Sequence, residues 1–225
     1  MHYVMSDIHG RYDRYLKMLD LIAFSDADQL IILGDMADRN PGGLDIMRHA
    51  KGRDNIRVIL GNHEHMLLET LGPHNRFGAK QLWFGNGGEV TMNEWLMCPR
   101  DEQQEFLAWL QQLPSFMEMC VGGREFHLVH GWPGDTVQDR VWGRANWWST
   151  NPLEGKTLII GHTPVPLLMS SQRAYLEKLA ESGDHVRIFK NKEFIDIDCG
   201  CAMKSSLLSR LGCLRLEDME EFYAD

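Results

Sequence analysis

What this chain lacks narrows its class first. No apolar run in its 225 residues approaches the roughly 20 needed for a membrane-spanning helix. The first polar motif follows directly on Tyr3-Val4-Met5, which leaves no room for a basic n-region and an apolar leader. No membrane partner is expected, and the expected compartment is the cytoplasm. Positive charge is also short: 23 Lys and Arg stand against 32 Asp and Glu, a formal net charge of -9. Gripping nucleic acid depends on neutralising phosphates with cations, so no nucleic-acid partner is expected either. A phosphorylated substrate stays open, because two bound dications would reverse the sign of the field locally. Cysteines are few and odd in number (Cys98, Cys120, Cys199, Cys201, Cys213), too sparse for a disulfide framework, so reduced thiols are expected. Cys199-Gly200-Cys201 has no second pair at zinc spacing and reads as small buried residues beside a strand. Internal repeats and low-complexity tracts are absent, and a monomer is the default expectation.

What is present is an alternation of apolar strands and amphipathic helices. Residues 2–5 read as a strand, then Tyr12, Tyr15, Leu16, Leu19 and Ile22 fall at helical spacing. Leu30–Leu33 is a continuous apolar strand and Ile56–Leu60 a further apolar strand, with a helix opening at Pro41 between them and a second continuing through Met66, Leu67 and Leu71. Continuous apolar strands between helices indicate a largely parallel sheet buried on both faces. Residues 72–115 break the rhythm: Gly78, Gly85, Gly87 and Gly88 predict a loop, and Glu102–Leu113 predicts a helix. This stretch reads as a helical insertion over or beside the site. The second half turns to β structure, with a hairpin around Gly122-Gly123, an apolar strand over 158–160, a hairpin around Lys190-Asn191-Lys192 and a last strand over 213–216. Glu217–Glu221 reads as a solvated acidic face. The expected fold is α/β: two packed mixed β-sheets, a β-sandwich, flanked by α-helices in a single domain over 1–225.

Four polar clusters each follow an apolar run: Ser6-Asp7-Ile8-His9-Gly10, Gly34-Asp35 through Asp38-Arg39, Gly61-Asn62-His63-Glu64 and Gly161-His162-Thr163-Pro164. Val129-His130-Gly131 lies between the last two. Phosphate-ester hydrolysis at neutral pH needs a strong nucleophile and a sink for charge on the phosphoryl oxygens. Two divalent metals about 3.5–4 Å apart supply both. Asp7 and His9 are two apart, so on an extended segment they face the same way and one metal can take both. Asp35 can bridge two ions, Asn62 offers a neutral amide oxygen, and His130 and His162 offer imidazoles. That mixed oxygen and nitrogen shell suits Mn, Fe or Zn. Each cluster alone is weak, but the ordered set is specific.

His63 can act as a general acid that protonates the leaving oxygen, with Asp38 holding the imidazole and favouring its charged form. Arg39 and Arg144 can grip phosphoryl oxygens through the guanidinium fork. Other histidines read as bland. His127 faces away from His130, and His2, His49, His65, His74 and His185 lack partners at ligand spacing. Trp132, Trp142, Trp147 and Trp148 surround Arg144 in sequence and can wall the site, although core packing is the simpler reading for at least two.

Nearly the whole chain resembles the calcineurin-like metallophosphoesterases. Within them it is similar to the PPP-family serine/threonine phosphatases of the small bacterial and phage type, such as lambda phosphatase. Asp7-Ile8-His9-Gly10 resembles their Asp-x-His-Gly, Gly34-Asp35 with Asp38-Arg39 their Gly-Asp-x-x-Asp-Arg, and Gly61–Glu64 their Gly-Asn-His-Glu. Asn86-Gly87-Gly88, Trp142-Gly143-Arg144 and Phe194-Ile195-Asp196 before a Cys-Gly turn also have counterparts. The resemblance implies one metal on Asp7, His9 and Asp35 and another on Asp35, Asn62, His130 and His162, usually manganese. It implies in-line attack by a metal-bridging hydroxide, with His63 as acid and a phosphorylated protein as substrate. Two positions depart from the pattern. Asn40 replaces the usual glycine after Asp-Arg, where asparagine tolerates positive φ. Trp132 replaces a small residue after His130-Gly131, which can narrow the groove. The rival within the superfamily is a symmetrical dinucleoside tetraphosphatase (Ap4A hydrolase). Those enzymes usually carry Asp after Gly-Asn-His and lack the Asp-Arg pairing, so Glu64 and Asp38-Arg39 favour the protein phosphatase. A catalytically inactive relative that binds phosphorylated partners would need a broken ligand set or a missing acid, and neither is seen.

Overall fold

A computed structural model describes residues 1–73, 75–203 and 208–225; His74 lies outside the described residues. The first half runs β1 (His2–Met5), α1 (Tyr12–Leu21), β2 (Gln29–Ile32), α2 (Gly43–Lys51), β3 (Ile56–Val58) and α3 (Asn62–Leu71). Three helices follow: α4 (Ala79–Gly85), α5 (Glu89–Met97) and α6 (Arg100–Leu110). The second half comprises β4 (Phe116–Val121), β5 (Arg124–Val129), α7 (Val137–Trp142), β6 (Thr157–Ile160), α8 (Val165–Leu168) and α9 (Gln172–Ser182). It ends with β7 (Phe189–Lys190), β8 (Phe194–Asp196), β9 (Leu211–Arg215) and β10 (Glu221–Ala224).

These strands form two five-stranded mixed sheets, ordered β10-β9-β1-β2-β3 and β4-β5-β6-β8-β7. β1, β2 and β3 are parallel, as are β5, β6 and β8, while β9, β10, β4 and β7 pair antiparallel with their neighbours. The apolar runs are explained by burial on both faces. In the first sheet Val4, Ile31, Leu33 and Ile59 point to an inner core shared with Phe126, Leu128, Leu158, Ile160 and Phe194 of the second sheet. Alternate residues Tyr3, Met5, Leu30 and Ile32 point outward to Tyr15, Met18, Leu44 and Met47 of α1 and α2. Trp83, Trp95, Phe106 and Leu110, from α4–α6, join that outer core. The expected architecture of two packed mixed sheets with flanking helices is the one found. No helix among the described residues is long and apolar enough to cross a membrane.

Several local expectations are corrected. The glycine-rich stretch predicted as a loop holds α4 and α5, because its glycines sit at helix ends: Gly78 caps α4 at φ +80° and Gly88 caps α5. α2 starts at Gly43, two residues beyond Pro41. The acidic stretch after β9 is solvated only through its turn, and from Glu221 the chain returns as edge strand β10 paired with β9. Glu221 there meets Arg187 and Lys190.

Candidate active site

The carboxyl ends of the parallel strands in both sheets meet at one place. β1, β2 and β3 lead into Asp7/His9, Asp35 and Asn62, while β5 and β6 lead into His130 and His162. The sheets are tied together there: His130 Nδ1–H donates to the Leu33 carbonyl at 2.5 Å, and the His162 N–H donates to Asp7 Oδ2 at 2.9 Å. The local backbone is strained. Among the described residues other than glycine, Asp7, His9, Asp35, Asp38, Arg39 and His162 all have positive φ, between 49° and 72°. Left-handed side-chain-bearing residues cost of order 1–3 kcal/mol each and persist where the surroundings over-determine them. Asp7 and His9 therefore share the site through two left-handed bends, not through the extended segment expected from their spacing. Asn40 has no positive φ; it instead donates from Nδ2 to the His9 carbonyl at 3.0 Å.

Five buried ligand residues, Asp7, His9, Asn62, His130 and His162, converge around the buried Asp35 carboxylate. Oδ2 faces His9 Nε2 at 3.6 Å and Oδ1 faces His130 Nε2 at 3.3 Å, so its two oxygens serve opposite sides. His9 Nε2 is also 3.8 Å from Asp7 Oδ1, and Asn62 Oδ1 is 3.0 Å from His130 Nε2. Asp35, His130 and His162 have ligand atoms within 4.8 Å of one another. The tautomers suit a metal. His9 Nδ1 is 3.1 Å from the Ala37 carbonyl and His130 Nδ1 is held on Leu33, so each Nδ1 carries a hydrogen and each Nε2 is the ring atom turned inward, where a metal would displace any proton. His162 Nε2 is buried without a partner among the described residues. Burial opposes charge on His130, yet Asp35 and Asp7 push its pKa up to about 10, a measure of the negative potential there. His162 moves the other way, down to about 2, through burial and repulsion from His130. Two buried carboxylates, an amide oxygen and inward-facing imidazole nitrogens fit a pair of divalent cations. The same spacing groups His63 with His9 and Asp35, but His63 Nδ1 is bound elsewhere.

Beside this cluster His63 Nδ1 lies 2.6 Å from Asp38 Oδ2 with both side chains fully buried. Burial disfavours the imidazolium, but Asp35 and then Asp38 outweigh it and the His63 pKa is raised. Its Nε2 is within hydrogen-bond distance of Arg39 Nη2, at 3.2 Å, so imidazole and guanidinium face the same space. Arg144 stands at the rim, exposed, with Nη1 donating to the His162 carbonyl at 3.2 Å. All ten predicted site residues thus lie in one region, Arg144 at its edge.

Three supporting residues carried no role in the sequence reading. Glu64 accepts N–H groups from Asp35, Met36 and Gly61, at 2.8, 2.8 and 3.3 Å, and so fixes the turn that carries Asp35. Burial and the Asp35 charge raise its pKa to about 7. Ser6 donates its hydroxyl to Asp7. Trp83 donates its indole N–H to Asp38 Oδ2 at 2.7 Å. Glu64 sat inside a quoted motif, whereas nothing in the local sequence marks Trp83. Of the four tryptophans around Arg144, Trp132 packs on Phe194 and Trp142 lies beside His162, while Trp147 and Trp148 are exposed. His127 pairs with Glu118, away from the cluster.

Such a meeting of two sheets over an Asp/His/Asn cluster defines a metal-dependent phosphoesterase. The chain matches the profile of the calcineurin-like phosphoesterases over residues 3–194 and belongs to that family, which implies bound divalent metal ions. The symmetrical bis(5'-nucleosyl)-tetraphosphatase of Salmonella paratyphi C is 32% identical over 117 residues, 51% of this chain and 38% of that protein. The match thus spans well under half the length of that relative. Among solved structures, a candidate diadenosine tetraphosphatase superposes with TM-score 0.62 at 17% identity, covering 99% of this chain and 92% of that one. A cold-active protein-tyrosine phosphatase from a psychrophilic Shewanella superposes with TM-score 0.55 at 15% identity, covering 100% and 80%. At these identities the likeness establishes the fold alone.

Proposed function

We propose that this metallophosphoesterase is a phosphoprotein phosphatase acting on phosphoserine and phosphothreonine, with phosphotyrosine as a further substrate. The observation that carries the reading is the buried Asp38–His63 pair, whose Nε2 is turned toward the guanidinium of Arg39. A serine or threonine oxygen is a poor leaving group and needs a proton as the bond to phosphorus breaks, which is the task of a positioned acid. A dinucleoside tetraphosphate split symmetrically releases a nucleoside diphosphate, whose phosphate oxygen departs without one. Bound by Asp7, His9, Asp35, Asn62, His130 and His162, two divalent ions, Mn2+ or else Fe or Zn, would supply the nucleophile and neutralise phosphoryl charge. Arg39 and Arg144 orient the phosphoryl oxygens, and His63 delivers its Nε2 proton to the departing oxygen.

Charge beside the site favours the same reading. A cleft of about 500 Å³ adjoins Arg39 and is lined by Phe84, Asn86, Glu89 and Val90. Its charged lining groups are one cation and one carboxylate, a poor match for the remaining phosphates of a polyphosphate. The second reading, a symmetrical dinucleoside tetraphosphatase, is favoured by the Salmonella relative. Manganese-dependent phosphate release from phosphoserine and phosphothreonine peptides and from diadenosine tetraphosphate, side by side, separates the two. Peptide turnover that falls about 100-fold or more in His63→Asn is the expected result. Preference for the dinucleotide would move the chain to the second reading.

A further inference from the structure

Trp83 is wholly buried, and its indole N–H ends on the same carboxylate oxygen that holds His63. Trp83 Nε1 to Asp38 Oδ2 is 2.7 Å and His63 Nδ1 to that oxygen is 2.6 Å. The other oxygen, Asp38 Oδ1, has no partner among the described residues. The rotation of the Asp38 carboxylate is therefore set by these two donors, of which the imidazole is the group being oriented. A buried indole needs an acceptor for its N–H, and here it takes that of the acid dyad. The surrounding chain is shaped to bring it there. A Cβ on Gly88 would lie 2.4 Å from Trp83 Nε1, so only glycine lets the α4–α5 corner close over the ring. Next to it the Arg39 N–H donates to the Gly87 carbonyl at 3.1 Å, and the Asp38 N–H donates to Thr91 Oγ1 at 2.9 Å. The segment Trp83–Thr91 thus grips the Asp38-Arg39 turn at three points.

We propose that Trp83 is a positioning residue for the protonation step, fixing the Asp38 carboxylate so that His63 Nε2 stays aimed at the departing oxygen. As water oxygen bonds to phosphorus and the ester P–O bond breaks, the electron pair passes to the leaving oxygen. That oxygen takes the Nε2 proton, which solvent later restores. The inference rests on the acid role given to His63 above, but not on the identity of the substrate.

Trp83→Phe keeps a ring and removes the donor. With Mn2+ present, kcat and KM are measured on phenyl phosphate and on 4-nitrophenyl phosphate, whose leaving oxygens differ in their need for a proton. The expected result is a fall of about tenfold or more in kcat on phenyl phosphate, a change within about twofold on 4-nitrophenyl phosphate, and unchanged KM for both. In an Asp38→Asn background the same substitution should add nothing, since both act through one contact. Equal losses on the two esters, no loss on either, or full additivity with Asp38→Asn would make Trp83 a packing residue and overturn the proposal. Gly88→Ala displaces the indole while keeping its N–H; it should give the same split, and it serves where Trp83→Phe does not fold. His63→Asn separates the two readings. If it splits the esters while the wild type ignores phosphopeptides, the substrate assignment falls and the Trp83 role stands. If His63→Asn splits them and Trp83→Phe does not, only the Trp83 role falls. If His63→Asn does not split them, both the acid role and the Trp83 role fall.

Discussion

At His63 two carboxylates compete with burial, and the sign of the outcome sets a pH dependence. Burial lowers the pKa, Asp35 and Asp38 raise it by more, and the net shift is upward. An acid catalyst works while it holds its proton, so a raised pKa extends activity toward alkaline pH. Asp38→Asn removes one of the raising charges. The alkaline limb of kcat on a phosphoserine peptide should therefore move to lower pH, and kcat at the plateau should fall. A limb that stays in place, or moves upward, would remove Asp38 from the acid's environment. Asn40 shows a different lesson at the same scale. Its identity was expected to matter through positive φ, but the side chain instead ties the Asp38-Arg39 turn to the His9 carbonyl.

Among the elements, α5 connects the insertion to the first sheet's helices through Glu94. Glu94 accepts the N–H of Gly42 at 2.5 Å and of Leu44 at 3.4 Å, at the start of α2. No side chain of α2's own cap residue, Gly42, does this. A carboxylate placed there satisfies orphan donors and meets the positive end of the helix dipole. Glu94→Ala should cost about 1 kcal/mol in urea unfolding, the usual worth of a lost cap. A loss under a few tenths would mean that water replaces it. Such tertiary capping explains what was legible in the sequence and what was not. β2 was readable because both its faces are buried, which writes a continuous apolar run, whereas edge strand β3 buries Ile56 and Val58 and exposes Arg57 between them. α4 and α5 were hidden because their glycines mark helix ends and a close approach to Trp83, signals that locally look like a loop. α9 buries none of its residues fully, and only Tyr175, Leu176 and Leu179 pack on the core, so its apolar stripe is short. The ligand-type residues were visible as motifs at strand ends. Trp83 was not, since its meeting with Asp38, 45 positions away, exists only after folding.

For the whole molecule the decisive fact is that the candidate ligands come from both sheets. Asp7, His9, Asp35 and Asn62 follow strands of the first sheet, and His130 and His162 follow strands of the second. Cations bound among them would join the two layers of the sandwich and neutralise the buried carboxylates of Asp7 and Asp35. An unfolded chain disperses those groups, so binding favours the folded state by mass action. With Mn2+ at about 100 times its dissociation constant the expected gain is about 2.7 kcal/mol. For a chain of this size that corresponds to a rise of roughly 5–10 °C in melting temperature over the chelator-treated protein. The gain should vanish in Asp35→Asn, which faces both groups of donors, and shrink in both Asp7→Asn and His162→Gln. His127→Gln, distant from the cluster, should keep it in full. A melting temperature indifferent to Mn2+ would leave the cluster without a resident metal. A gain lost with Asp7 but kept with His162 would confine binding to the first sheet, and the sandwich would then owe nothing to the metal for its closure.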